Sequence, residues 1–290
     1  MRAYVTGGNG MKMNSEGAGI EGRNSRRTAR QAAITEAVMA EGAIRIEQLA
    51  ERFNISLMTV HRDLDELESR ALLRKSRGVA TALSTSLVES SDVFRLGQQQ
   101  VEKESLARAV LDYIEPGQSI FLDDSTTVLK LAQLLHTKSP LTVITNVLTI
   151  MNQLTNVRGI SLLALGGNYY NWCSAFMGRM TNETISTLRA DTFIMSTSAI
   201  TDDTCFHQTL ETVDTKRAMF DAAATRILLV DHTKFEKRAL HALAHLTEYD
   251  LVIVDDKTDA EHISRLRSQG VNVVVAPGQR VAPAQAHTGE

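Results

Sequence analysis

Between residues 119 and 276 the chain repeats one pattern seven times. Short apolar runs occur at Ser119–Asp123, Leu141–Thr145, Ile160–Leu165, Asp191–Ser196, Arg226–Asp231, Leu251–Asp255 and Val271–Ala276. Each run is continuous in its apolar residues rather than alternating, as a strand buried on both faces requires. Segments with helical spacing lie between them, at Val128–Leu135, Val147–Leu154, Thr212–Ala224 and Ala260–Gln269. Strand–helix alternation of this kind implies a mostly parallel sheet covered by helices on both sides. The expectation is therefore α/β, with the sheet domain over residues 101–277 and a Pro/Ala/Gly-rich tail at 278–290.

The N-terminal third follows a different rule. Residues 1–24 are rich in Gly, Asn and Ser and lack an apolar stretch, so they read as a disordered leader and not a signal peptide. Ala33, Ile34, Ala37 and Val38 then recur at helical spacing and stop at Glu41-Gly42. Ile46, Leu49, Ala50 and Phe53 repeat that spacing. After the break at Asn54-Ile55-Ser56, Ser56 stands as an N-cap before Val60, Leu64 and Leu67. Leu57, Val60 and Leu64 are the expected buried face. The basic stretch Arg74-Lys75-Ser76-Arg77-Gly78 has its glycine where a hairpin turns. Residues 25–81 thus read as three helices and a basic wing, a winged helix-turn-helix. Residues 82–100 read as a linker.

Net charge separates the two parts. Residues 23–80 hold 11 Lys and Arg against 8 Asp and Glu; residues 81–290 hold 18 against 24. A basic head on an acidic body points to two jobs. The third helix fits a major groove, with Ser56, Met58, Thr59, His61 and Arg62 in its first turn and a half, facing base edges. Arg74, Lys75 and Arg77 on the wing suit phosphate contacts, which carry no sequence information.

In open parallel sheets, ligands bind beyond the C-terminal strand ends. Here those ends are small, polar or charged: Asp123-Asp124-Ser125-Thr126-Thr127, Thr145-Asn146, Gly166-Gly167, Ser196-Thr197-Ser198, Asp231-His232-Thr233-Lys234 and Asp255-Asp256. Hydroxyls and free amides at the helix start after Ser125 suggest an anion site. Lys234 offers a point charge, and Gly166-Gly167 a close backbone approach. N-caps and turns use the same residue types, so the set as a whole is the signal.

Other features fit this frame. His241 and His245 are four apart, a spacing that on a helix can hold zinc, but the His-Glu-x-x-His pattern is missing and no metal site is expected. Cys173 and Cys205 are too few for a disulfide scaffold. Free thiols fit a reducing, cytoplasmic setting. Adjacent side chains rarely face each other, so Cys205 and His207 are not expected to act as a thiol–imidazole pair. Tyr169, Tyr170 and Trp172 either cover a ligand or pack. No run reaches the ~18–20 apolar residues of a membrane span.

Residues Ile46–Ala80, with Thr59-Val60-His61-Arg62-Asp63-Leu64 and Gly78-Val79-Ala80, resemble the DNA-binding signature of the DeoR family of bacterial transcriptional regulators. His61 replaces the first Arg of that signature, Ala71 replaces a usual Gly, and the wing has one Gly fewer. The larger half is similar to the same family at Asp123–Thr127 (Asp-Ser-Gly-Thr-Thr in the family), Val143–Asn146, Gly166-Gly167 with Gly178, Lys216–Met219 and Asp231–Phe235. The resemblance spans roughly residues 25–276. It implies an effector domain like ribose-5-phosphate isomerase and the CoA transferases in fold. It also implies double-stranded operator DNA and a phosphorylated sugar effector as partners, no cofactor, and assembly as a homodimer or homotetramer. The expected effector residues are Asp123, Asp124, Ser125, Thr126, Thr127, Asn146, Gly166, Gly167, Lys216, Asp231 and Lys234. The protein so expected is a repressor of carbohydrate catabolism, relieved by its effector. The alternative is a sugar-phosphate isomerase-like or CoA-transferase-like enzyme with an accessory helical module, with Asp123 or Asp231 as base and Lys234 as electrophile. Against it, an enzyme has no use for a winged head.

Overall fold

A computed structural model describes residues 16–70, 72–82 and 91–278. Ala71 and the expected leader up to residue 15 lie outside the described residues, as do 83–90 of the expected linker and all but the first residue of the expected tail. Helix α1 (Glu16–Glu41) begins inside the stretch expected to be a disordered leader. It is followed by β1 (Ala43–Arg45), α2 (Ile46–Phe53), α3 (Leu57–Ser69), β2 (Leu73–Ser76) and β3 (Val79–Ala82). The turn between β2 and β3 holds Arg77 at φ 50° and Gly78 at φ 76°. Two successive left-handed residues give the tight hairpin whose twist matches its strands. β1 joins the hairpin as a third strand, in the order β1-β3-β2, a pairing too short to show in the sequence.

Apolar and polar contacts together hold the head. Val60, Leu64 and Leu67 of α3 are fully buried with Ile34, Val38, Ile46 and Leu49. Leu57, expected to share that face, is 48% exposed: it precedes the first packed turn and points off the edge of the core. Asp63 is buried and bound to α1, accepting from Arg30 at 2.6 and 3.1 Å and from Gln31 at 3.2 Å. This fixes the angle between α1 and α3.

Two more helices follow, α4 (Asp92–Gly97) and α5 (Gln100–Val110). Ser91 caps α4, and Asp92 and Val93 are buried, so the C-terminal part of the expected linker is folded structure. The sheet contains all seven expected strands: β4 (Ser119–Leu122), β5 (Leu141–Thr145), β6 (Ile160–Ala164), β9 (Ala190–Ser196), β12 (Ala223–Val230), β14 (Leu251–Val254) and β15 (Val273–Val275). Their order is β15-β14-β12-β9-β4-β5-β6, and every pairing is parallel. Successive side chains point to opposite faces. Phe121, Phe193, Met195, Leu228 and Val252 therefore enter one core and Ile120, Leu122, Ile194, Leu229 and Ile253 the other. Helices α8 (Arg179–Ser186), α9 (Leu210–Asp221) and α10 (Ala260–Ser268) cover the first face. Helices α5, α6 (Thr126–Ala132) and α7 (Leu148–Leu154) cover the second. The helix expected at Thr212–Ala224 stops at Asp221, because Ala223 already pairs with Ala190 in β12.

Short strands make up the rest. β7 (Asn168–Tyr170) and β8 (Ala175–Met177) form a hairpin. β10 (Ala199–Thr201), β11 (Thr204–His207) and β13 (His241–His245) form an antiparallel sheet. His241 and His245 are thus the two ends of a strand, about 13 Å apart at strand rise, and not neighbours on a helix. Pro277 is anchored, its carbonyl accepting from the Ser105 hydroxyl at 2.7 Å. No helix among the described residues is long and apolar enough to cross a membrane.

Asp63 tests the account of the head. Asp63→Ala leaves Arg30 and Gln31 without their shared acceptor, at a cost of about 2–3 kcal/mol. Amide exchange in α3 should accelerate by the corresponding factor while exchange in the parallel sheet stays unchanged.

Candidate functional site

Helix α3 shows one face to solvent. Ser56 caps it, accepting from the Thr59 amide at 3.2 Å, and the two hydroxyls lie 2.9 Å apart. Ser56, Met58, His61 and Arg62 are exposed and Thr59 is half-buried, all on the side away from Val60 and Leu64. On the wing Arg74 and Arg77 are exposed. Lys75 is not free with them, because its ammonium pairs with Asp65 of α3. The wing thus extends two arginines outward and uses its lysine to brace itself.

The second site lies at the C-terminal sheet edge. From β4 the chain proceeds to β5 and β6 on one side, then returns to build β9, β12, β14 and β15 on the other. The strand order therefore diverges between β4 and β9, where open sheets hold ligands. Asp123 follows β4 there. Its Oδ1 accepts from the Ser125 amide at 2.9 Å, and its Oδ2 from the Ser196 amide at 3.0 Å and from Lys216 Nζ at 2.7 Å. Lys216, on α9, also donates to the Ser196 carbonyl at 3.1 Å and lies 3.0 Å from Asp124 Oδ1. Burial alone would lower the Lys216 pKa. The carboxylates of Asp123 and Asp124 outweigh it and hold the ammonium's pKa above the ordinary lysine value. Burial likewise opposes the Asp124 charge, but Lys216 and Arg95 prevail and hold its pKa well below the usual carboxylate range.

The loop is a closed unit. Ser125 Oγ caps α6 by accepting from the Val128 amide at 3.2 Å, and Thr126 and Thr127 are buried. Asp123, Asp124, Ser125, Thr126, Thr127 and Lys216 come together as expected, but as an internally paired cluster rather than an open anion cradle. Gly166 and Gly167 sit apart from it. A side chain at Gly167 would strike Thr181, so that glycine serves close packing.

The open cleft lies beside the cluster. About 350 Å³ in volume, it is lined by Arg95 of α4, Lys103 of α5, and Asp231, Thr233, Lys234 and Lys237 after β12. Burial, reinforced by Lys234, lowers the Lys103 pKa to about 7. Burial lowers that of Lys234 to about 8, against the pull of Asp231. The Lys103 ammonium donates to the Arg95 and Gln98 carbonyls, which ties α5 to α4. Arg95 turns the other way as well. Its Nη2 donates to the Asp124 carbonyl at 3.4 Å and lies 3.6 Å from the Asp124 carboxylate.

Among the described residues, the buried polar atoms without a hydrogen-bond partner include Asp231 Oδ2, Asn146 Oδ1 and His207 Nε2. Asp231 Oδ2 faces Lys234 at 3.7 Å. Burial, with Lys216 nearby, holds the His207 imidazole neutral, its pKa well below the usual value. Such groups cost free energy unless something fills them. Trp172 packs edge-on against Tyr170 and lines the narrow space over Asp124 and His207, while Tyr169 is exposed.

Helix α4 also touches the head. Asp92 lies 3.5 Å from Arg70 at the end of α3, accepts from Ser174 at 2.7 Å, and donates its amide to the Trp172 carbonyl at 3.0 Å. Arg95, Lys103 and Lys237 escaped the sequence reading because Arg95 sat in an apparent linker, Lys103 had no neighbouring motif and Lys237 lies just beyond the Asp231–Phe235 segment. Glu102, His232 and Asp255 approach one another, but Glu102 pairs with Lys257, and Asp255 accepts from His232, Lys257 and Thr258. Their donor set is taken up within the chain, and we assign no metal. The Cys205 thiol is buried, which raises its pKa to about 12 and leaves it inert.

Known proteins bear on both sites. Residues 30–86 match the DeoR-like helix-turn-helix domain and residues 98–256 the DeoR C terminal sensor domain. The chain is 32% identical to the lactose phosphotransferase system repressor of Staphylococcus epidermidis, over 81% of this chain and 94% of that protein. It is 32% identical to the glycerol-3-phosphate regulon repressor of Escherichia coli, over 79% and 91%. Among solved structures, ribose 5-phosphate isomerase A from Methanocaldococcus jannaschii superposes with a TM-score of 0.34 at 13% identity, over 46% of this chain and 53% of that one.

The paired cluster makes its own prediction. Lys216→Met strands two buried carboxylates and should cost about 3–5 kcal/mol in urea unfolding. Adding Asp123→Asn and Asp124→Asn should recover more than half of the loss.

Proposed function

The chain belongs to the DeoR family of DNA-binding transcriptional regulators, and from that premise we propose that it represses a carbohydrate-catabolism operon and releases its operator when a phosphorylated sugar fills the cleft beside α4. The relatives named for a lactose phosphotransferase system and for a glycerol-3-phosphate regulon support the carbohydrate and phosphate parts of this reading. Family membership makes it a regulator and not an isomerase-like or transferase-like enzyme. Of the two bases considered for such an enzyme, Asp123 is moreover tied to Lys216 and Asp231 faces Lys234.

The observation that carries the mechanism is the double engagement of α4. Asp92 pairs with Arg70 of the head, and one turn later Arg95 reaches Asp124 and lines the cationic cleft. A phosphoryl group held by Lys103, Lys234 and Lys237 competes with Asp124 for the Arg95 guanidinium, which suits bidentate oxyanion contacts. Sugar hydroxyls donate to Asp231 Oδ2, which lines this cleft without a hydrogen-bond partner of its own. Turning Arg95 moves α4 and loosens Asp92 from Arg70 and Ser174. In a homodimer or homotetramer the heads must meet half-sites one helical turn, about 34 Å, apart or a multiple of it. A ligand favouring the loosened state shifts the population away from that spacing. On the DNA, Ser56, Met58, Thr59, His61 and Arg62 face the major groove while Arg74 and Arg77 lie along phosphates. The protein acts in the cytoplasm, in keeping with its two buried free thiols.

A thermal-shift screen tests the ligand class. Sugar phosphates should raise the midpoint, the parent sugars should not, and Lys234→Ala should abolish the shift. Equal shifts by sugar and sugar phosphate would remove the phosphoryl site. Bound phosphate favours the charged lysines and lifts their pKa values from about 7 and about 8. Binding therefore takes up protons, and affinity should strengthen as pH falls from 9 towards 7, read by calorimetry in buffers of different ionisation enthalpy. Arg62→Ala should weaken operator binding at least tenfold, within the range for one base-reading pair, and leave the sugar-phosphate shift intact. Operator affinity itself should fall steeply with salt.

A further inference from the structure

Helix α3 carries two apolar side chains with no role in the head's core. Leu57 is 48% exposed and Met58 64% exposed, and neither belongs to the cluster built on Val60, Leu64 and Leu67. Neighbours on a helix surface are three and four residues apart, so Leu57 lies in line with His61, and Met58 with Arg62. The outward face of α3 therefore has an apolar first turn followed by a cationic second turn. Consecutive in sequence and both exposed, Leu57 and Met58 form a small apolar patch at the tip of a basic domain, open to a partner. The cationic second turn and the free Arg74 and Arg77 of the wing fit that partner as a polyanion.

The major groove offers one apolar group, the C5 methyl of thymine, beside the O6 and N7 acceptors of guanine. We propose that Leu57 and Met58 read thymine methyl groups, so that each operator half-site carries thymines under the first turn of α3, next to the bases met by His61 and Arg62. The inference rests on α3 being the operator-reading helix and adds what its first turn selects. Leu57 thereby joins the specificity-determining residues, and Met58 acts through shape and not through hydrogen bonds.

The test replaces thymine by uracil, which removes the methyl and keeps the pairing. A random-sequence duplex pool is enriched on the full-length protein, and the tightest duplex is resynthesised with deoxyuridine at one thymidine at a time. Burial of a methyl is worth about fourfold in affinity, so two positions per half-site should lose about that much. Leu57→Ala and Met58→Ala should each bind the thymine and uracil duplexes equally at one of those positions and keep the preference at the other. Equal binding of both duplexes by the unaltered protein overturns the inference and leaves operator reading intact, as does a preference that survives both substitutions. Failure to enrich any duplex overturns the operator-reading assignment of α3 and this inference with it.

Discussion

A single buried ammonium organises the larger domain. Lys216 Nζ reaches Asp123, Asp124 and the Ser196 carbonyl within 3.1 Å, and so joins the ends of β4 and β9 to α9. Two carboxylates against one ammonium leave a surplus negative charge in a place where isolated charge is prohibitively costly. Arg95 supplies the balance from α4. The position of α4 is thus an electrostatic consequence of the cluster as much as a packing choice, and the rest of the regulatory geometry depends on it. If Asp124 were neutral, Lys216 would still be satisfied by Asp123, and Arg95 would have no charge to hold it over the sheet edge.

That dependence explains how a helix of six residues can matter to both domains. α4 is too short to be stable alone. Its conformation is held by its neighbours: Ser91 at its cap, Trp172 and Ser174 on Asp92, Lys103 on the carbonyls of Arg95 and Gln98. An element whose stability comes from contacts with several others is displaced when one of those contacts finds a better partner. A rigid long helix at the same place would need far more ligand free energy to move.

Sequence reading recovered what burial dictates and lost what pairing dictates. All seven strands were visible because a strand buried on both faces must be apolar throughout, and the seven runs at 119–276 are. Val60, Leu64 and Leu67 were visible for the helical version of the same reason, and the Ser56 cap and Arg77-Gly78 turn through local backbone chemistry. β7, β8, β10 and β11 have three or four residues each, fewer than a period needs to declare itself. α4 was hidden because its buried residues are Asp92 and Val93, one of them charged. That the candidate residues follow the C-terminal strand ends was legible, but which of them pair with one another and which line an open cleft was not. Lys216 and Lys234 look alike in sequence, and only the third dimension gives one two buried carboxylates and the other a cleft. Lys75 and Leu57 departed from their expected roles for the same reason: Asp65 came close enough to take the lysine, and the core begins one turn too late to cover the leucine.

The remaining puzzle is an anion cleft on an acidic body. Net charge acts over a Debye length of about 8 Å or more in physiological salt, while a cleft answers to the groups that line it. Lys103 and Lys234 are held near pKa values of about 7 and about 8 by burial, so the empty cleft need not carry its full charge. Both values lie below those of the unfolded chain, so the unfolded state binds more protons across that interval and stability rises with pH through it. Lysines that stay partly neutral when empty and charge when filled lower the cost of folding the site without ligand. On the reading proposed above, the same property would make the site selective, because only a ligand bringing negative charge of its own recovers the desolvation of two ammonium groups. On that reading, a neutral sugar would find a hydroxyl acceptor at Asp231 but give nothing to the lysines. Discrimination between a sugar and its phosphate then follows from how buried the cations are, and not from their number.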